Sequence, residues 1–386
     1  MLIEISNTPR DYAWGSPTLI ADLEGRTPSG APEAEVWFGD HPGSPALVHD
    51  GSDRTLDAWL AAHADGAGVP ARLPYLLKLL AAGAPLSIQV HPSKDQAVEG
   101  FAREETAGLP RDAGHRNYKD DNHKPEVIVA LSETFTALAG LRDLDATRRL
   151  ISALGAGDGA RALSDRLDAA DPSDALRAAI GWVLGEADAA AIGQIVEAAA
   201  SADSEEFAAE LRMTRTLAEA YPGDPGIVVA LLMNLVELRR GEAIFVPAGV
   251  LHAYIAGLGV EIMAASDNVL RGGLTPKHID VAELLALVDF HPAAPPILTP
   301  GAAGEGVELF APGIRDFALA HVRGGASGSV ELSGVSLALS VVGEAVLTGA
   351  TGARIALTPG RAAVITPDES PVTITGGEVF VAMPGE

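Results

Sequence analysis

The period of apolar and polar positions changes several times along the chain. Up to about Leu141 the apolar runs are short and broken by Pro and Gly, as in PSGAPEAEVWFGDHPGSPALV. Within them LSIQVH alternates with period two, so this stretch predicts short strands joined by turns. From 142 to 221 the texture shifts to Ala, Leu, Arg, Asp and Glu. ALRAAIGWVLGEA and SEEFAAELRMTRTLAEAY carry apolar residues three and four apart, which predicts a helical block. Tyr221-Pro222-Gly223-Asp224-Pro225-Gly226 cannot continue a helix and marks its end. Strand texture returns in VELRRGEAIFVPAGVLHAYIAGLGVEIMAAS. A short helix is then predicted, with Thr275 as N-cap and Pro276 in the first position. Val281, Leu284, Leu285 and Val288 would give its buried face. HPAAPPILTPG reads as a linker, and 306–386 as a Gly-punctuated β module.

The predicted architecture is therefore mainly β with an α-helical insertion. Residues 1–141 and 223–295 form one β unit, 142–222 the insertion, and 296–386 a separate C-terminal β unit. Short antiparallel strands with Gly/Pro turns suit barrels or jelly rolls. With 386 residues, 47% of them hydrophobic and 20% charged, the chain can bury a sizeable core. The longest strongly apolar stretch, Gly226 to Leu235, is too short to span a bilayer. The N-terminus lacks the basic start and apolar run of a signal peptide. The expectation is a soluble, cytoplasmic protein.

Charge narrows the function. The formal net charge is −25, so the overall field repels phosphate, and nucleic acid or an anionic membrane is a poor partner. An anionic substrate would need a local basic pocket. With no cysteine, any metal must be held by N and O ligands. Lys plus Arg total 27, yet the only lysines are Lys78, Lys94, Lys119, Lys124 and Lys277. Four of them fall between positions 78 and 124.

Four segments carry candidate chemistry. Gln89 and His91, two apart on a predicted strand, project to one face. They are either half a metal site or a hydrogen-bonded cross-strand pair. Tyr118-Lys119-Asp120-Asp121-Asn122-His123-Lys124-Pro125-Glu126 has the composition of a solvated loop. It joins the apolar run VIVAL abruptly, however, and a carboxylate entering the core at Glu126 needs a partner. His252 and Tyr254 share a face beyond the Pro247–Gly249 turn, with a satisfied core histidine as the plainer reading. In the run from Glu261 through Ser266-Asp267-Asn268 to Lys277, Arg271 and Lys277 would suit a phosphate. Gly272-Gly273 would let backbone approach a ligand, and the following helix N-terminus would add positive potential. Together these residues suggest an N/O site of the zinc type beside a basic clamp.

The segments Tyr12-Ala13-Trp14-Gly15, Glu35-Val36-Trp37 with His41-Pro42, LPYLLKLLAAGAPLSIQVHPSKDQA, YKDDNHKPE, FVPAGVLHAY and SDNVLRGGLTPKHID match one family. On them the chain resembles the type I mannose-6-phosphate isomerases (phosphomannose isomerases), zinc enzymes of the cupin superfamily. The resemblance covers positions 12 to about 280, and the last hundred residues match only in β character. It implies cupin-type jelly-roll barrels (a bicupin) plus a helical domain, with the catalytic cupin domain in 1–141 and 223–295. It implies one Zn²⁺ per chain on Gln89, His91, Glu126 and His252. Arg271 matches the active-site arginine. Lys124 and Asp267 match residues of proton transfer, with the identity of the base open. Ser87, Lys78 and Lys277 match phosphate contacts, and Trp14, Tyr254 and Glu261 line the pocket. FTALAGLRD at 135–143 departs from the family's more aromatic, Cys-containing version, which touches packing rather than the site. The implied reaction interconverts mannose 6-phosphate and fructose 6-phosphate through a cis-enediol(ate). The implied partner is a small sugar phosphate, with no nucleic acid or membrane, and the chain a monomer or weak homo-oligomer. Two alternatives stand beside it: a non-catalytic sugar-phosphate-binding cupin, and a cupin metalloenzyme of another reaction class. Gln89 as a ligand argues against the second. The joint presence of Lys124, Asp267 and Arg271 argues against the first.

Overall fold

The computed structural model describes residues 1–64 and 68–386. Within them the chain forms two ten-stranded antiparallel sheets and a cluster of helices. The first sheet carries the site. Its spine is the strand His252–Ala264, long enough to pair with different neighbours at its two ends. The C-terminal half lies between Tyr75–Ala82 and Glu126–Ala130. The N-terminal half lies against Gln89–Val90 and Thr134–Leu141. The change of partner needs a bend, supplied by a bulge between Tyr254 and Ala256 and by Gly257 at φ 123°. A Cβ at Gly257 would stand 2.8 Å from the Phe135 ring, so only glycine fits.

The helical block comprises Leu144–Ala153, Asp158–Arg166, Pro172–Gly185, Ala189–Ser201 and Ala208–Ala220. It supplies no member of the metal-type cluster described below. Its apolar faces share one core with Ile88, Val90, Leu251, Leu270 and Leu274 of the first sheet. Alternation then does the positioning: Ile88 and Val90 face the helices, so Gln89 and His91 face the other way. No single helix is long and apolar enough to cross a membrane.

Several details differ from expectation. The first 141 residues also hold helices Leu19–Glu24, Leu56–His63 and Lys94–Thr106. The last starts at a capping box, in which Ser93 Oγ accepts from Gln96 N–H and Gln96 Oε1 accepts from Ser93 N–H. In LSIQVH the strand proper is confined to Gln89–Val90, with Leu86 N–H making a separate bond to the Tyr254 carbonyl at 2.8 Å. The Pro-Gly stop ends Ala208–Ala220, but a fully buried helix, Gly226–Leu231, follows before the strand Met233–Arg239 begins. The helix placed after Thr275 starts later, as Val281–Leu287, with Asp280 as its cap, because the Asp280 carboxylate accepts from Glu283 N–H. Thr275 Oγ1 instead closes a turn onto Lys277 N–H. Leu284 is buried within this helix, while Val281 and Leu285 are half-buried and Val288 lies past its end.

The second sheet runs through Val307–Phe310, Ala318–Val322, Val372–Met383, Ser336–Thr348 and Ala362–Ile365. It is completed by Leu2–Ser6 and Leu47–Val48 from the other end of the chain. The two sheets share a core in which Val36, Leu77 and Val127 meet Phe310, Leu337 and Phe380. The Tyr75 hydroxyl reaches the carbonyls of Val335 and Ala382 at 2.9 and 3.1 Å. The C-terminal strands are thus packed against the first sheet.

Candidate metal centre and substrate cleft

Two sheet registers bring distant residues together. His252 pairs directly with Gln89, and Met263 with Glu126. His91, Glu126 and His252 are all buried, with one donor atom from each within 4.8 Å of the others. Glu126 lies between the rings: Oε1 is 3.3 Å from His91 Nε2 and Oε2 is 3.3 Å from His252 Nε2.

The tautomers follow from the other ring nitrogens. His91 Nδ1 sits 2.7 Å from the Asn268 carbonyl and His252 Nδ1 3.2 Å from the Val250 carbonyl. A carbonyl can only accept, so each Nδ1 carries the proton and each Nε2 presents a lone pair. His91 Nε2 accordingly has no hydrogen-bond partner despite its closeness to Glu126. Burial, then Lys124, push the His91 imidazolium down to a pKa of about 4. Burial alone would raise the Glu126 carboxyl, yet Lys124 and His91 hold it well below the usual range. Two imidazole lone pairs and a carboxylate aimed at one point repel one another unless a cation sits among them. This donor set fits a zinc-type ion, with each imidazole oriented by a carbonyl. Gln89 lines the same small cavity as Glu126 and His252. Its amide N–H donates to Ser87 Oγ at 3.4 Å, which leaves the carbonyl oxygen free.

The family model for "Phosphomannose isomerase type I, catalytic domain" matches residues 2–144. The chain is 38% identical over 384 residues to the mannose-6-phosphate isomerase of Salmonella typhimurium, covering 97% of each. It is 36% identical to that of Escherichia coli over the same span, and 31% identical to that of Homo sapiens over 323 residues, 75% of this chain and 73% of the relative. The chain belongs to the type I phosphomannose isomerase family. Solved structures agree over their whole length. The Salmonella typhimurium enzyme bound to its substrate and to zinc superposes with TM-score 0.88 at 34% identity, covering 100% of both chains. A zinc-bound holo mannose 6-phosphate isomerase gives 0.87 at 34%, again over 100% of both chains.

In this family member the remaining residues surround the cluster unequally. Lys124 is buried, with Nζ 2.8 Å from Glu126 Oε1. Lys78 faces Glu261 across the ladder, with Nζ 3.1 Å from Glu261 and 3.5 Å from Glu35, and lies over the Trp37 ring at 5.2 Å. Burial depresses the Lys78 ammonium, but Glu261, Glu35 and Glu126 reverse this and leave it above its ordinary value. Its charge is matched inside the protein. Glu261 moves up through burial, against the pull of Lys78. The Tyr254 hydroxyl donates to Glu126 Oε2 at 3.4 Å, and burial raises its pKa.

Arg271 pairs in register with Gln89 and forms the wall between two hollows. One, of about 700 Å³, also holds Trp14, Ser87 and Lys277. The other, of about 190 Å³, holds Lys78, Lys119, Lys124 and Asp267. Asp267 is half exposed and bonds to His41 at 3.1 Å. That hydrogen bond lowers its pKa.

Gly272-Gly273 serves packing rather than a ligand. A Cβ on Gly273 would come within 2.3 Å of Gly226 Cα, so the pair lets this loop touch the Gly226–Leu231 helix. The positive end of Val281–Leu287 begins beyond Lys277, at the Asp280 cap, and so adds no phosphate-binding potential directly after Gly272-Gly273.

Sequence reasoning passed over Glu35 and Trp37 as site residues, although both stand in a matched motif. The Trp37 indole donates to Glu35 at 2.7 Å and fixes the carboxylate against Lys78. It also passed over Asn268, fully buried in the SDNVLRGG run. Asn268 orients His91 through its carbonyl, and its side chain accepts from Lys119 N–H and donates to the carbonyls of Asp120 and Asn122.

Proposed function

We propose that this chain is a zinc-dependent mannose-6-phosphate isomerase. The observation that carries the reading is the meeting of His91, Glu126 and His252 at one point, in and beside a small cavity that Glu126 and His252 share with Gln89 and Lys124, with Arg271 paired in register to Gln89. Gln89, His91, Glu126 and His252 would hold one Zn²⁺. Bound there, the ion supplies a fixed positive charge where an oxyanion develops beside the reacting carbons, without redox chemistry. The Salmonella typhimurium relative carries zinc and its substrate in its crystal structure.

The chain's own residues would do the rest. Interconversion moves a proton between C2 and C1 of the open-chain sugar, through a cis-enediol(ate), on one face. A single group can remove and return it. Asp267 is a weak base, because the His41 hydrogen bond holds its pKa low. Lys124 lies at the cluster itself; as a neutral amine, with Glu126 given over to the metal, it would take the C2 proton and return it to C1, and we assign the transfer to it. Arg271 places a permanent charge at the cleft wall, where it can hold the enediolate oxygens or the phosphate. The Lys78–Glu261–Glu35 group carries matched charge beside the cluster, and the Tyr254 hydroxyl holds Glu126. Trp14 closes the outer hollow, stacked on Tyr12 at 5.8 Å. With a net charge of −25, a small phosphosugar steered to a local basic cleft is a better partner than nucleic acid or membrane. A cytoplasmic monomer or weak homo-oligomer accords with this chemistry.

The test is an isomerase assay on purified protein with its metal content measured, repeated after chelation and after zinc is restored. Activity that tracks zinc supports the reading. A zinc-free preparation with full activity, or a zinc-loaded one with none, overturns it.

A further inference from the structure

Most lysines and arginines near the cleft already have an anion: Lys78 has Glu261 and Glu35, Lys124 has Glu126, and Arg116 has Glu104 and Glu105. Lys119, Arg271 and Lys277 do not. Among the described residues no carboxylate lies within 4.0 Å of these three cationic heads, and none of them donates a side-chain hydrogen bond. They nevertheless sit together. Lys119 and Arg271 line the smaller hollow, and Arg271 and Lys277 the larger. The Lys277 ammonium is depressed by burial and then by repulsion from Arg271 and Lys119. The anion facing this group, Asp267, is engaged with His41. Three unpaired cations gathered in a chain of net charge −25 cost free energy while the site is empty. The cost is recovered when a dianion enters.

The loops that carry them are firmly held. Lys119 N–H donates to Asn268 Oδ1 at 2.7 Å. Its neighbour Tyr118 is buried, with its hydroxyl 2.6 Å from Glu283, and Asn117 donates to Asp280 at 2.9 Å. Arg116 donates to the Tyr118 carbonyl at 2.7 Å. On the other side, the Asp224 carboxylate accepts from Leu274 and Thr275 N–H at 2.9 and 3.0 Å, which fixes the turn ahead of Lys277. The backbones at these positions are set before any ligand arrives.

We propose that Lys119, with Arg271 and Lys277, seats the phosphate of the substrate, and that this seat, rather than the internally matched Lys78, takes the dianion. Lys119 is then a further substrate-positioning residue. The inference rests on the isomerase reading for the identity of the phosphate's carrier, and only on the three cations for the seat itself.

The test uses zinc-loaded protein and the variants Lys119→Ala, Lys119→Arg and Lys94→Ala. Loss of one charged hydrogen bond predicts a rise of about 10- to 100-fold in both KM for mannose 6-phosphate and the inhibition constant of inorganic phosphate. In Lys119→Ala kcat should stay near wild type. Lys119→Arg should restore most of the loss, and Lys94→Ala, whose ammonium bonds to Asn122 outside the cleft, should change neither constant. A Lys119→Ala enzyme with unchanged KM and phosphate inhibition overturns the seat. So does one whose defect falls on kcat with phosphate inhibition intact. Calorimetry with inorganic phosphate separates this from the functional reading. If wild type binds phosphate and Lys119→Ala does not, the seat stands even where no isomerase activity is found. If wild type binds no phosphate at millimolar concentration, the seat falls.

Discussion

Replacing Glu126 by Gln keeps shape and removes one charge, and the structure says what should follow. Glu126 holds the Lys124 ammonium at 2.8 Å, and both groups are buried. At an effective dielectric constant of about 20 their gross attraction is about 6 kcal/mol. Removing one partner of a buried pair costs about 3–5 kcal/mol in practice. The new amide returns about 1 kcal/mol through a hydrogen bond that its oxygen accepts from Lys124 or that its N–H donates to an imidazole Nε2. The metal-stripped variant should therefore be less stable by about 2–4 kcal/mol and melt several degrees lower. Zinc binding should suffer more. Glu126 is the only anion of the four proposed ligands, and loss of a mere supporting partner costs about 10–100-fold in affinity. Loss of the carboxylate itself should cost at least about 100-fold on that scale. Thermal melts of stripped protein read the first effect, and zinc content under competition from a chelator reads the second. If the variant keeps stoichiometric zinc against the chelator and melts with the wild type, the three converging donors do not act as a metal set.

Arg271→Ala should raise KM through the lost phosphate contact and, where the guanidinium also holds the enediolate oxygens, lower kcat by about 10²–10³-fold, with zinc content unchanged because a guanidinium offers no lone pair to a metal; a normal kcat and KM would remove it from the chemistry. Lys124→Met should abolish turnover while Asp267→Asn retains most of it, and kcat values in the reverse order would move the proton transfer to Asp267. Acid should act on the second sheet through Glu378, which bonds to His321 at 3.0 Å and Arg240 at 2.8 Å. Burial raises its pKa, but these two hydrogen bonds bring it below the ordinary value. The unfolded state then binds the proton first, so the stabilisation is complete above about pH 4.5 and fades as pH falls through the folded pKa. Glu378→Gln should lose less stability between pH 5 and pH 3 than the wild type in melts across that range; equal losses would mean that Glu378 gains nothing from its partners.

Much of the site was legible because its chemistry is local in sequence. Gln89 and His91 face one way since side chains on an extended chain alternate. Glu126 could be suspected of burial since a charge ran straight into VIVAL. The helical block is legible from its period, and the helices there run from Leu144–Ala153 to Ala208–Ala220. Ser93-x-x-Gln96 was also readable as a helix start and was overlooked amid Pro and Gly. The cap at Asp280 could not be told from the one at Thr275, because both residue types cap and the choice depends on which carboxylate or hydroxyl reaches the N–H groups.

What the sequence by itself determined is the set of side chains able to bind a metal and a phosphate, and the local faces that present them. What only the tertiary structure decided is which charges cancel. Lys78, Lys119 and Lys277 look alike along the chain. Cross-strand register sets Lys78 opposite Glu261 and leaves Lys119 and Lys277 unmatched beside Arg271. The fate of Leu2–Ser6 was equally hidden, since its partner Ala362–Ile365 lies at the far end of the chain. Electrostatic energy depends on distance and burial, and strand pairing on register. Both are properties of contacts between segments far apart in sequence, so the fold as a whole sets them.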